Sequence, residues 1–144
     1  TTHDMIPKLN LLIADDEPSL PRLLKEFFRS DFHTTCVARG EECLDQLERG
    51  LAPDVIILDL NMPGLSGLQT LQRIRQNPEW RRIAILMLSA TENSTARIEC
   101  LRAGADDFVI KPFNPEEIRV RIHAILRRVL PEDHPWWKES VALL

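Results

Sequence analysis

Cysteine is scarce in this chain. Cys36, Cys43 and Cys100 are odd in number, widely spaced and set in periodic apolar patterns, which excludes a disulfide framework or zinc spacing and predicts buried, reduced thiols. A reducing compartment follows, so the expected location is the cytoplasm. Long apolar runs are missing as well. None approaches the roughly 18 residues of a membrane span, and the N-terminus lacks the apolar core of a secretory leader, so no membrane partner is expected. Positive charge is not in excess: 18 Lys and Arg against 22 Asp and Glu leave a formal net charge of −4, with no global attraction to nucleic acid or anionic lipid. Neither a Gly-x-Gly-x-x-Gly loop nor a Walker lysine loop follows the first apolar run, which removes a nucleotide-binding reading. Repeats and low-complexity segments are absent, and 144 residues make about one domain.

What the chain does contain is a recurrence. Four short apolar runs each end in a residue able to handle a cation or a phosphoryl group. Leu11-Leu12-Ile13-Ala14 leads into Asp15-Asp16, Val55-Ile56-Ile57-Leu58 into Asp59, Ile83-Ala84-Ile85-Leu86-Met87-Leu88 into Ser89, and Phe108-Val109-Ile110 into Lys111. Runs of this kind between helix-length amphipathic stretches read as buried parallel strands. Strands are predicted near 8–14, 33–38, 54–59, 83–89 and 106–110, and helices near 18–30, 40–49, 65–76, 92–103 and 114–130. Pro18 suits a first helical turn, Gly50 and Gly104 suit helix stops, and Asn114-Pro115-Glu116-Glu117 offers an N-cap, a first-position proline and first-turn acids. In the last helix Ile118, Ile122, Ile125, Leu126 and Val129 form the inward stripe, leaving Arg119, Arg121, Arg127 and Arg128 mostly outward. Alternation with right-handed crossovers predicts an α/β fold, a five-stranded parallel sheet with helices on both faces. The ligand crevice of such a sheet lies at the strands' carboxyl ends, where three carboxylates, a hydroxyl and an ammonium should meet.

These spaced residues resemble the receiver domain of two-component response regulators over residues 8–130. Receivers carry an acidic pair after the first strand (here Asp15-Asp16), a phospho-acceptor aspartate ending the third (Asp59), a serine or threonine ending the fourth (Ser89) and Lys-Pro after the fifth (Lys111-Pro112). The resemblance implies the flavodoxin-like strand order 2-1-3-4-5 and Mg²⁺, with Mn²⁺ as the alternative. The ligands it implies are the Asp16 and Asp59 carboxylates and the Asn61 backbone carbonyl, with Asp15 acting through water. Lys111 and Ser89 would each hold a phosphoryl oxygen, Phe108 would follow the Ser89 hydroxyl as a switch, and Lys111-Pro112 would be a cis peptide. Phe108 lacks the hydroxyl a tyrosine would bring. The function implied is acceptance of a phosphoryl group on Asp59 from a sensor histidine kinase or histidine phosphotransfer protein. The domain would promote its own phosphorylation and dephosphorylation without turning over an external substrate.

A second match concerns the face built by the fourth helix, fifth strand and fifth helix, the 4-5-5 face. Arg97, Asp106, Asp107, Glu117, Arg121 and Arg128 stand where winged-helix transcription regulators place the ion pairs of an active dimer. The resemblance pairs Arg97 with Glu117, Asp107 with Arg121 and Asp106 with Arg128. A phosphatase of the haloacid dehalogenase type would need an aspartate two residues after the nucleophile, and Asn61 occupies that position. A folded receiver that is not phosphorylated would need a missing site residue, and none is missing. His3, His33, His123 and His134 show no metal spacing and are expected in solvent. Trp80 should pack locally. Residues 1–7 are expected as a flexible arm, and residues 131–144, with Trp136-Trp137, as a tail that packs on its own domain, leads to a missing output module or docks on a partner. The absent initiator methionine and the end at Leu144 point to a receiver cut from a longer protein.

Overall fold

The computed structural model describes residues 8–137, so the expected arm at 1–7 and the last seven residues of the tail lie outside the described residues. Ten elements alternate: β1 (Leu9–Ala14), α1 (Ser19–Phe27), β2 (Phe32–Val37), α2 (Gly40–Glu48), β3 (Val55–Asp59), α3 (Gly67–Gln76), β4 (Ala84–Ser89), α4 (Ser94–Arg102), β5 (Asp107–Ile110) and α5 (Pro115–Val129). All pairings are parallel and the sheet order is β2-β1-β3-β4-β5. Every residue of β3 and β4 is buried, which is why these strands read as unbroken apolar runs. Helix α1 stops at Phe27, three residues short of the expectation. Phe28 leaves helical geometry there, and Asp31 and Phe32 both donate to its carbonyl in a turn into β2.

Alternate strand residues supply two cores, one on each face of the sheet. Leu11, Ile13, Ile57, Leu86 and Val109 pack with Leu24 of α1 and Ile118, Ile122 and Leu126 of α5. Leu12, Ile56, Leu58, Ile85 and Met87 pack with Cys43 and Leu47 of α2, Leu71 and Ile74 of α3 and Cys100 of α4. At about 1.5–3 kcal/mol for each large aliphatic side chain removed from water, burial on both faces dominates the favourable side of folding. The consequence for function is alignment. Ala14 pairs with Leu58, Asp59 with Leu88 and Ser89 with Ile110, so the polar strand ends come out on one edge.

The tail continues the first core. After Pro131, Trp136 folds back to 1% exposure, its indole nitrogen donating to the Asp31 carbonyl at 2.9 Å. Its ring centroid lies 5.6 Å from Phe32, 5.0 Å from His123 and 5.1 Å from Trp137. Through residue 137 the tail packs on its own domain. This corrects two expectations. His123 is not in solvent but buried under the two tryptophans, and Arg119 is buried, 3.4 Å from the enclosed Asp31 carboxylate and stacked over Phe27. Cys36 is a third correction: Cys43 and Cys100 are buried, whereas Cys36 is exposed on edge strand β2, which has a neighbour on one side only. Trp80 packs locally against the second core, as expected. Among the described residues no helix is long and apolar enough to cross a membrane.

Candidate functional site

Three strand ends build the site. Just beyond β1, Asp15 is fixed by its backbone N–H donating to Val37 and by the Glu17 N–H donating to its Oδ1 at 2.9 Å. Asp59 closes β3, and the next residue, Leu60, is tied on both sides: its N–H donates to the Leu88 carbonyl, and its own carbonyl accepts from Gly67 at 2.8 Å. Gly67 must be glycine, because a Cβ there would strike the Asp59 carbonyl oxygen and lie 2.7 Å from Leu60 Cα. Beyond β5, the Lys111 N–H donates to the Ser89 carbonyl at 2.7 Å, and the Lys111-Pro112 peptide is cis, as expected. Lys111 Nζ then reaches Asp15 Oδ2 at 3.0 Å and Asp59 Oδ1 at 3.3 Å.

Carboxylate oxygens of Asp15, Asp16 and Asp59 lie within 4.8 Å of one another. At that separation and an effective dielectric near 20, each ionised pair repels by about 3 kcal/mol. Lys111 offsets part of this. Burial pushes the Asp59 carboxyl above its ordinary range, and the charges of Asp15 and, less, Asp16 add to that while Lys111 opposes it. Burial disfavours the Lys111 ammonium, but the hydrogen bond it donates to Asp15 and the charges of Asp59 and Asp15 outweigh it and hold the amine above its usual value. Asp15 and Asp59 are buried, while Asp16 and Asn61 are open to solvent. This donor set is all oxygen and carries an unbalanced negative charge, which suits a hard divalent cation such as Mg²⁺ or Mn²⁺.

The two residues expected to form a switch are engaged elsewhere in this structure. Ser89 is fully buried, and its hydroxyl accepts from the Thr91 N–H at 3.1 Å and donates to the Thr91 carbonyl at 3.3 Å. Phe108 is buried in the second core. On the 4-5-5 face, Arg121 pairs within the chain, to Asp107 at 3.0 Å and to Glu117 at 3.0 Å, while Arg97 and Arg128 are exposed. Asp106 accepts from the Ile85 N–H at 2.8 Å and from Arg75 at 3.1 Å. Arg75 was not singled out from the sequence. It also donates to the carbonyls of Gly104, Arg81 and Ile83, tying the end of α3 to the strand β4 and β5 entrances. An arginine at a helix end looks solvated in a sequence, and only the convergence of three carbonyls reveals the role.

Comparison with known proteins agrees with this geometry. The family model described as the response regulator receiver domain matches residues 11–123. The phosphate regulon transcriptional regulatory protein PhoB of Rhizobium meliloti (strain 1021) is 40% identical over 129 residues, covering 89% of this chain and 56% of that protein. The receiver domain of the Francisella response regulator 1452 superposes with a TM-score of 0.77 at 29% identity, over 85% of this chain and 100% of that one. The BeF3-activated receiver domain of DrrB, a Thermotoga maritima protein, superposes with a TM-score of 0.76 at 25% identity, again over 85% and 100%. The chain spans about half the length of the curated relatives it matches.

Proposed function

This chain belongs to the response regulator receiver domain family, and from that premise we propose that Asp59 accepts a phosphoryl group from a histidine kinase or histidine phosphotransfer protein. A carboxylate oxygen of Asp59 attacks the phosphorus of a phosphohistidine; the O–P bond forms as the N–P bond breaks, and the imidazole leaves after taking a proton from solvent. Lys111 holds one phosphoryl oxygen as a point charge and Ser89, once turned from Thr91, hydrogen-bonds another. Asp16, Asp59 and the Asn61 carbonyl would hold Mg²⁺, with Asp15 acting through water, and the ion would spread charge away from the phosphoryl oxygens. Water later cleaves the acyl phosphate at the same site, so the domain promotes its own resetting. Residues 8–130 act as the receiver, and residues 131–144 are a C-terminal tail or a linker to an output module, with the protein acting in the cytoplasm.

The observation that supports this most directly is the Lys111 ammonium bridging two buried carboxylates at the carboxyl edge of the sheet. The test is incubation with acetyl phosphate and Mg²⁺, followed by intact mass and peptide mapping. One phosphoryl adduct on Asp59 is expected, absent in Asp59→Asn and suppressed by EDTA. An adduct mapped to another residue of the wild type would overturn the assignment.

Signalling then runs through the 4-5-5 face to a second copy or an output module. Ile98 and Leu101 of α4 and Val120 of α5 are large apolar residues left exposed, and they would supply the apolar centre of such an interface. Surface ion pairs contribute only about 0–1 kcal/mol each. The Asp107–Arg121, Arg97–Glu117 and Asp106–Arg128 pairs would therefore set register more than affinity. Beryllofluoride with Mg²⁺ is expected to shift sedimentation toward dimer, Arg121→Asp to abolish the shift, and a second change, Asp107→Arg, to restore part of it. A beryllofluoride-treated wild type that stays monomeric at high concentration would move the output to another surface.

A further inference from the structure

The loop after the phospho-acceptor has well-fixed ends and an open tip. Leu60 is tied to Leu88 and Gly67 to Leu60, and Ser66 opens α3 with a reciprocal capping box to Gln69. Between them Asn61, Pro63 and Gly64 are exposed. Among the described residues, the backbone of 61–65 makes one hydrogen bond to another element: the Leu65 N–H donates to Glu41 Oε1 at 2.6 Å. Glu41 lies in the first turn of α2, across a helix–helix contact rather than beside the loop in sequence.

Two glycines are fitted to that contact. A Cβ on Gly40 would strike Thr70 Oγ1 and lie 3.2 Å from both Leu65 Cβ and the Leu65 carbonyl oxygen, so the bare backbone lets α2 come up against α3 and the loop. Gly64 has φ of +76°, and a Cβ there would strike the Glu41 carboxylate. The loop thus turns at the one place that leaves room for the carboxylate, and the carboxylate caps the next backbone N–H. The bond to Leu65 is also the main reason Glu41 stays below the usual carboxylate range, so its acceptor is anionic and the hydrogen bond charge-assisted.

We infer that Glu41 is a positioning residue for the phosphorylation site: by holding the Leu65 N–H it fixes the loop that carries the Asn61 carbonyl beside Asp59. This rests on the reading of that carbonyl as a metal ligand. Loss of an outer partner that orients a ligand typically weakens metal affinity by 10–100-fold, and here the partner acts on a loop rather than on the ligand itself, so the lower figure applies.

The test is Mn²⁺ binding by calorimetry to the whole chain, with thermal unfolding in metal-free buffer alongside. Glu41→Ala is expected to weaken Mn²⁺ binding about tenfold while its metal-free midpoint stays near wild type. Glu41→Gln keeps an acceptor oxygen for Leu65 and loses the charge, so it should recover most of the affinity. Mn²⁺ binding that Asp59→Asn abolishes and Glu41→Ala leaves unchanged overturns the positioning role alone. A Gln variant as weak as the Ala variant also overturns it, since distant charge would then be the cause. A wild type that binds no Mn²⁺, or binds it as well after Asp59→Asn, overturns the metal reading and this inference with it.

Discussion

Trp136→Ala is expected to destabilise the domain by about 3–5 kcal/mol, the range for truncating a buried tryptophan. The side chain is 1% exposed, touches Phe32, His123 and Trp137 rings and satisfies the Asp31 carbonyl. Removing it leaves a cavity beside the enclosed Asp31–Arg119 ion pair, whose carboxylate oxygens have no hydrogen-bond donor among the described residues. Urea unfolding at neutral pH gives the measurement. A loss below about 1 kcal/mol, the level of a surface substitution, would mean the tail rests on the domain without belonging to its core.

The same variant carries a pH signature. Burial, helped by the positive charges of Arg119 and Arg127, lowers the His123 pKa to about 4 from 6.5. A group with a depressed folded pKa contributes stability that is complete above its unfolded value and lost as pH falls through the folded one. His123 therefore makes wild-type stability fall between about pH 6.5 and 4, by up to about 3 kcal/mol. Asp31 and Asp59 oppose this, because their raised carboxyl pKa values favour the fold as pH drops. Comparing wild type with Trp136→Ala removes the Asp59 contribution, which is common to both. Once Trp136 is gone, His123 is open to water and titrates nearer 6.5, so the gap between the two proteins should narrow from pH 7.5 to pH 5. Asp31 borders the same cavity and pulls the other way, so the narrowing is the excess of the His123 effect over it, and a gap that stays constant or widens would mean that Trp136 does not govern the His123 titration.

Where the reading from sequence succeeded, the reason is that information was local. β3 and β4 are buried on both faces, so four and five consecutive apolar residues mark them without any knowledge of their neighbours. Asn114 and Pro115 mark the start of α5 because a cap and a first-turn proline act within one turn. Asp15, Asp59 and Lys111 were legible because strand ends of a parallel sheet share an edge whatever the helices do. What failed was non-local. Arg119 falls on the side of α5 that periodicity assigns to solvent and His123 was expected there too, yet His123 lies under Trp136, which is bonded to Asp31 across 105 positions, and Arg119 sits against the Asp31 carboxylate and the Phe27 ring. Glu41 and Arg75 escaped notice for the same reason. Each is an ordinary charged helix residue until another element's backbone N–H or carbonyls are brought to it.

Gly67 ties fold to chemistry most tightly, and Gly67→Ala is expected to cost at least about 3 kcal/mol, beyond the usual range for an inserted methyl group. The new Cβ would strike the Asp59 carbonyl oxygen and stand 2.7 Å from Leu60 Cα and 3.0 Å from the Asp59 carbonyl carbon. All three are backbone atoms of the strand end, so no side chain can swing aside. Relief requires α3 to back away, breaking the 2.8 Å hydrogen bond from Gly67 to Leu60, or the end of β3 to shift and carry the Asp59 carboxylate off its line with Lys111. A displacement near 1 Å at a reacting group can cost about 100-fold in rate, so phosphoryl uptake from acetyl phosphate should fall by at least tenfold in the fraction that remains folded. Ser66→Ala is the control on the same helix end: it removes the cap that accepts from Gln69, costs about 1 kcal/mol and leaves the Gly67–Leu60 contact in place. Urea midpoints and single-turnover phosphorylation of both variants separate a frayed helix from a displaced acceptor. If Gly67→Ala loses no more stability than Ser66→Ala and is phosphorylated at the wild-type rate, the packing of α3 on the strand end does not hold Asp59 in place.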